Sequence, residues 1–225
     1  MHGIALMASA LIGTGPQITE RLPVAPAAFS VLWIQCNGIL SNYSIDDRYS
    51  ELRDFILARG AQLDSFDAGD VDAGVLAGYR VVIVSLAANW DETFTAAEAA
   101  AFESYVSGGG GLYLWGDNPN TPNENIQPIG DHFGLTFGSV FVQDDCFTTV
   151  PWVVPPRDAK LLLGGSVFGG EGWLKDVFHN YSGRYVEHVG GRVAGLGDVS
   201  AYSNDRWGQA DNTALLMGVG RWLAN

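Results

Sequence analysis

Four short polar segments hold the side chains that could do chemistry. They are Gln35-Cys36-Asn37, Asn89-Trp90-Asp91-Glu92, Gly116-Asp117-Asn118 and Gly197-Asp198, each at the end of an apolar run. Amides and carboxylates make paired hydrogen bonds to hydroxyl groups, and an indole face covers C–H surface. Asn37, Asn89, Trp90, Glu92, Asp117, Asn118 and Asp198 are therefore the candidate site for a neutral polyol or sugar. The same residue types are also what loops are made of. Two carboxylates at a suitable separation can do general acid–base work on a glycosidic bond, which makes Asp117, paired with Asp198 or Glu92, a candidate for catalysis. Cys36 with His179 is the candidate thiolate–imidazole pair, although an acidic chain disfavours the thiolate. His179, His188 and nearby acids have no metal-type spacing. The acidic loop with Asp64, Asp67, Asp70 and Asp72 lacks the terminal bidentate Glu of a calcium loop. No metal or cofactor is expected.

The frame for these residues is clearest from Phe94 to Asn118. Thr95 followed by Glu98 is a capping box that starts a helix, with Ala99, Phe102 and Val106 as its apolar stripe. The run Gly108 to Gly111 ends the helix, and Leu112-Tyr113-Leu114-Trp115 reads as a strand apolar on both faces. A phosphate loop would follow a strand and open a helix, the reverse of this order. Further strands are expected at 29–36, 61–66, 81–86 and 192–196. Ser44 and Asp47 should open a helix that carries Ile45, Tyr49, Leu52 and Ile56 on one face, with Gly60 stopping it. Beyond Asn118 the alternation weakens. Ile126 to Phe133 reads as a short helix, Leu135 to Val142 as a strand, Gly164 to Gly172 as a flexible glycine-rich stretch, and Asp211 as the cap of a final helix. Strands alternating with helices predict a parallel, doubly wound sheet whose ligands bind beyond the carboxyl ends of the strands.

The 225 residues, 47% of them hydrophobic, suffice for one sizeable core. Twenty-five acidic residues against 12 basic ones give a net charge of −13, and only Lys160 and Lys175 are lysines. That sign repels phosphate backbones and anionic head groups, so neither nucleic acid nor membrane is an expected partner. Residues 1–28 differ in texture: the apolar run Ile4 to Ile12 has signal-peptide length and Ala25-Pro26-Ala27 has the look of a cleavage site, but no Lys or Arg precedes the run. The expectation is an ordered extension that packs on the domain or on a second copy, in a cytoplasmic protein, with export as the alternative. Cys36 and Cys146 allow one disulfide without requiring it.

The segments YRVVIVSL, FTAAEAAAFESYVSGGGGLYLWGDN, GGRVAGLGDVSAYSND and DNTALLMGVGRWL together resemble the class I glutamine amidotransferase-like superfamily. The likeness is to its branch without a nucleophile, which includes trehalose-utilisation-type proteins, gliding-associated domains and an intraflagellar-transport N-terminal domain. It covers residues 29–225, and the insert near 120–185 carries little of it. The resemblance implies a flavodoxin-like three-layer α/β sandwich with a mostly parallel sheet, serving as a binding or assembly module. Trp115-Gly116-Asp117 stands where those enzymes place their catalytic cysteine. Their His-x-Glu pair is absent, since Val189 and Gly190 follow His188. The expected function is non-catalytic binding of a small polar ligand or a protein partner. The alternatives are an acid–base enzyme on carbohydrate-like substrates and a structural component that assembles through residues 1–28.

Overall fold

The computed structural model describes residues 29–150, 152 and 157–225, so the expected N-terminal extension lies outside the described residues. Two strands, the apolar β1 (Ser30–Ile34) and the more polar β2 (Gln62–Phe66), pair in parallel across helix α1 (Ser50–Leu57). A short turn of helix, α2 (Ala73–Leu76), leads into β3 (Val81–Ser85), which takes the other side of β1. Helix α3 (Ala96–Ser107) then leads into β4 (Gly111–Trp115), parallel to β3. Every residue of β3 and β4 is buried, as strands in the middle of a covered sheet require.

After β4 the chain runs through α4 (Gln127–His132) and six strands before it returns to the parallel part of the sheet. These are β5 (Thr136–Phe141), β6 (Asp145–Thr148), β7 (Asp158–Lys160), β8 (Gly165–Phe168), β9 (Glu171–Asp176) and β10 (Tyr181–Glu187). Strand β11 (Arg192–Leu196) then returns to pair in parallel with β4, and α5 (Asn212–Ala224) closes the fold. The main sheet has nine strands in the order β2-β1-β3-β4-β11-β10-β9-β6-β7, and β5 and β8 form a separate two-stranded sheet. The expectation of a mostly parallel sheet holds as far as β11 and fails beyond it, where β10, β9, β6 and β7 pair antiparallel. The reason is local. The four-residue turns between β9 and β10 and between β10 and β11 allow only antiparallel neighbours, whereas parallel neighbours need crossovers.

The capping box forms as read: Thr95 accepts from the Glu98 N–H, and Glu98 accepts from the Thr95 N–H. Gly109, at φ +102°, makes the left-handed turn out of α3. Three local expectations change. Helix α1 starts at Ser50 rather than Ser44, because residues 44–49 fold as turns that still bury Ile45 and Tyr49. Asp211 precedes α5 without a side-chain capping bond, being drawn instead towards Arg157. The stretch Gly164 to Gly172 is not a loose linker. It contains β8 and the start of β9, joined by Gly169 and Gly170 at positive φ, and a Cβ on Gly169 would collide with the Gly134 carbonyl.

Candidate functional site

The carboxyl ends of β1, β3, β4 and β11 lie along one edge, and two of the four polar segments, those of Asp117 and Asp198, are neighbours there. The turn after β4 is locked by Asn123. Its Oδ1 accepts from the Asp117 N–H at 2.8 Å, while its Nδ2 donates to the carbonyls of Asp117 at 3.1 Å and Asn118 at 2.9 Å. Asp117 is 8% exposed; its Oδ1 accepts from the Asn118 N–H at 2.8 Å. Asp198, at the end of β11, is fully buried, and its two oxygens accept from the N–H groups of Leu162 at 2.6 Å and Ser200 at 2.7 Å. Burial pushes Asp117 up to about 7. Burial, with the charge of Asp117 beside it, pushes Asp198 up to about 8. The two carboxylates are thus neighbours that disfavour each other's ionisation.

The insert packs directly against the turn after β4 and the end of β11. A Cβ on Gly165 would meet the Asp117 carbonyl, and one on Gly197 would meet the Gly165 carbonyl, so three backbones cross at contact distance on two glycines. Leu162 to Gly165 therefore lies over Asp198 and separates it from solvent.

On the β1 and β3 side, Asn37 adopts φ +65° and is partly exposed. Glu92 is exposed and Trp90 is half-buried. Asn89 is not available to a surface ligand: it is 1% exposed, its Nδ2 donates to the Asn125 carbonyl at 3.2 Å, and its own carbonyl accepts from Asn125 at 2.9 Å. It acts as a clasp between two loops. Cys36 and His179 are not brought together. Cys36 follows β1, while His179 sits in the β9–β10 turn beside Lys175, so four strand spacings, about 19 Å, separate β1 from β10. Burial, reinforced by the charge of Glu98, pushes the Cys36 thiol up to about 12, far from a reactive thiolate. Cys36 and Cys146 are both free and buried. His188 packs edge-on against Phe133. Among the described residues no three His, Cys, Asp or Glu side chains converge as a metal site.

The sequence reading missed the aromatic cluster packed beneath these strand ends. Trp33, Tyr49, Trp115 and Tyr202 form an aromatic cluster with centroids 4.9–5.8 Å apart, and Tyr49 donates to the Val199 carbonyl at 2.6 Å. Within it Trp33 Nε1, Trp115 Nε1 and Ser85 Oγ are buried and make no hydrogen bond, as is Asn89 Oδ1 nearby. Ser85 lies beside the Tyr49 hydroxyl but is not in bonding geometry with it. Buried polar atoms are nearly always partnered, so a group of orphans at one strand edge stands out. In sequence, Trp33, Tyr49 and Trp115 look only like core residues. Asn123 sits in a proline-rich run with no periodicity to flag it.

No family model matches the chain, and no curated protein matches it. Solved structures do. The mmIFT52 N-terminal domain superposes with a TM-score of 0.70 at 13% identity, over 87% of this chain and 97% of that one. A GMP synthase-type protein from Thermoplasma acidophilum gives 0.53 at 9% identity, over 88% and 95%. A ThuA-like protein from Parabacteroides merdae gives 0.53 at 11% identity, over 88% and 91%. At these identities the likeness is one of fold: the chain shares the α/β architecture of these domains, with a nine-stranded mixed sheet that is parallel in its core. No helix among the described residues is long and apolar enough to cross a membrane.

Proposed function

We propose that the protein is a non-catalytic, three-layer amidotransferase-like module that binds a small polar, hydroxyl-bearing ligand at the carboxyl edge of its sheet. The observation that carries this reading is the group of buried, unpartnered polar atoms near the carboxyl ends of β1, β3 and β4: Trp33 Nε1, Ser85 Oγ and Trp115 Nε1. Indole N–H groups only donate, whereas the serine hydroxyl both donates and accepts, so the set matches a ligand that both accepts and donates, as a hydroxyl does. Two further features speak against turnover. Asp117 stands on the turn where an amidotransferase nucleophile would be, and Asp198 spends both oxygens on backbone N–H groups behind Leu162. A carboxylate enclosed in that way cannot reach a glycosidic bond, which removes Asp198 as the second member of an acid–base pair and leaves Glu92 as the other candidate.

A protein partner at the same edge is the second reading. Phe141, Leu163, Val177 and Phe178 are 49–69% exposed. The Gln143 N–H bonds to Asp176 and the Leu163 N–H to Asp144, which draws their segments together into an apolar rim.

A thermal-shift screen with neutral sugars, polyols and nucleosides tests the first reading, because a ligand of the folded state raises the melting temperature with its concentration. For a hit, calorimetry should show Asp117→Asn binding about 1–3 kcal/mol more weakly, the range for hydrogen bonds to a charged group. Equal affinity would place the ligand elsewhere. Turnover by the wild type that vanishes in the variant would replace the binding module with an enzyme.

A further inference from the structure

An apolar groove of about 210 Å³ lies between α1 and α5, over the amino-terminal half of the sheet and away from the carboxyl ends of its strands. Phe29, Val31, Ile83, Tyr113, Leu216 and Leu223 form most of its wall, and the exposed Arg59 and Arg221 also line it. Its volume is below the roughly 300–1,000 Å³ of small-molecule sites, and its lining has almost nothing to offer a polar ligand. It suits a few aliphatic side chains.

We propose that the occupant is the chain's own segment Ile4 to Ile12, docked as an amphipathic turn of helix. The tether points to it. Phe29, the first described residue, is itself part of the groove wall, so residues 1–28 join the fold at this groove. The segment IALMASALI is uncharged, and Ile4, Met7, Ala8, Leu11 and Ile12 repeat at i, i+3, i+4, i+7 and i+8, one apolar stripe on a helix. Gly3 and Gly13 bound it. The sixteen residues 13–28 reach at most about 55 Å when extended, ample to bring the stripe back onto the groove beside Phe29. A tether of this kind gives an effective concentration of about 1 mM, so an intrinsic dissociation constant of about 0.1 mM already leaves the segment about nine-tenths docked.

Gly220 supplies the test. It lines the groove, sits on α5, and a Cβ added there meets nothing within 4 Å. Gly220→Phe therefore fills the groove without a backbone clash and removes a glycine from a helix interior. Hydrogen exchange on the full chain is the measurement. In the wild type, amides 4–12 should exchange about tenfold more slowly than in a synthetic peptide of residues 1–28. In Gly220→Phe they should return to the peptide rate while β3 and β4 stay protected. Leu11→Asp, which leaves the described domain untouched, should release the segment in the same way and covers the case in which Gly220→Phe does not fold. Peptide-like exchange in the wild type would overturn the proposal, as would protection that survives both substitutions. Protection that rises with protein concentration would also overturn it, assigning the groove to a second copy's segment.

Discussion

Asp198 receives two backbone N–H groups, which favour its ionised form, and it is still pushed up to about 8 because burial and the neighbouring Asp117 outweigh them. Asp117, with less help from hydrogen bonds, is pushed up to about 7. The sign for stability follows from linkage. Below about pH 4 both carboxyls are protonated in the folded and unfolded chains alike. As the pH rises towards 7 and 8 the unfolded chain gives up these protons while the native one holds them, so stability falls across that window and levels off above it. Asp117→Asn keeps the oxygen that accepts from Asn118 and removes both one titration and the charge that raises Asp198. The gap in melting temperature between pH 5 and pH 8.5 should therefore narrow in the variant by several degrees, at about 2–4 °C per kcal/mol for a chain of this size. A scanning-calorimetry gap equal to that of the wild type would mean that the two carboxylates are not electrostatically linked to folding.

At the scale of the elements, Glu98 joins two of them. Besides closing the capping box of α3, it accepts from the Val71 N–H at 3.0 Å, pinning the loop before α2 against the start of α3. Glu98→Ala would lose the box and leave a buried N–H without a partner, at a cost of about 2–4 kcal/mol, while Thr95→Ala should cost only about 1. Urea titrations of the two variants make the comparison; equal losses would show that the bond to Val71 contributes nothing. The box was legible in sequence because its two residues are three apart. The bond to Val71 was not, because it spans 27 positions. The same division runs through the fold. Strands β1, β3, β4 and β11 were readable because each is a buried apolar run, whereas β6, β7 and β9 were hidden because they are short or half-exposed, and β6 finds its partner β9 across 22 intervening residues. The candidate site divides likewise. The polar strand ends stood out by position, but that Asn89 would be consumed as a clasp and Asp198 covered by Leu162 depended on an insert whose glycines read as flexibility.

For the molecule as a whole, two electrostatic penalties grow together as the pH rises, and salt separates them. A net charge of −13 at pH 7, against a pI near 4.4, means mutual repulsion across the surface that is small at pH 5 and large at pH 8.5. Exposed charges farther apart than the Debye length, about 10 Å at 0.1 M salt and 3 Å at 1 M, stop interacting, whereas a buried pair is screened much less. Raising NaCl from 10 mM to 0.5 M should therefore increase the melting temperature by a few degrees at pH 8.5 and by less at pH 5, in the wild type and in Asp117→Asn equally. What remains of the pH gap at 0.5 M belongs to the buried carboxylates. For Asp117 alone a rise to about 7 corresponds to a penalty on the order of 4 kcal/mol once it is ionised, too large to vanish with surface screening. If 0.5 M salt closes the gap completely in the wild type, surface repulsion explains the pH dependence by itself, and Asp117 and Asp198 meet water in a way this architecture does not allow.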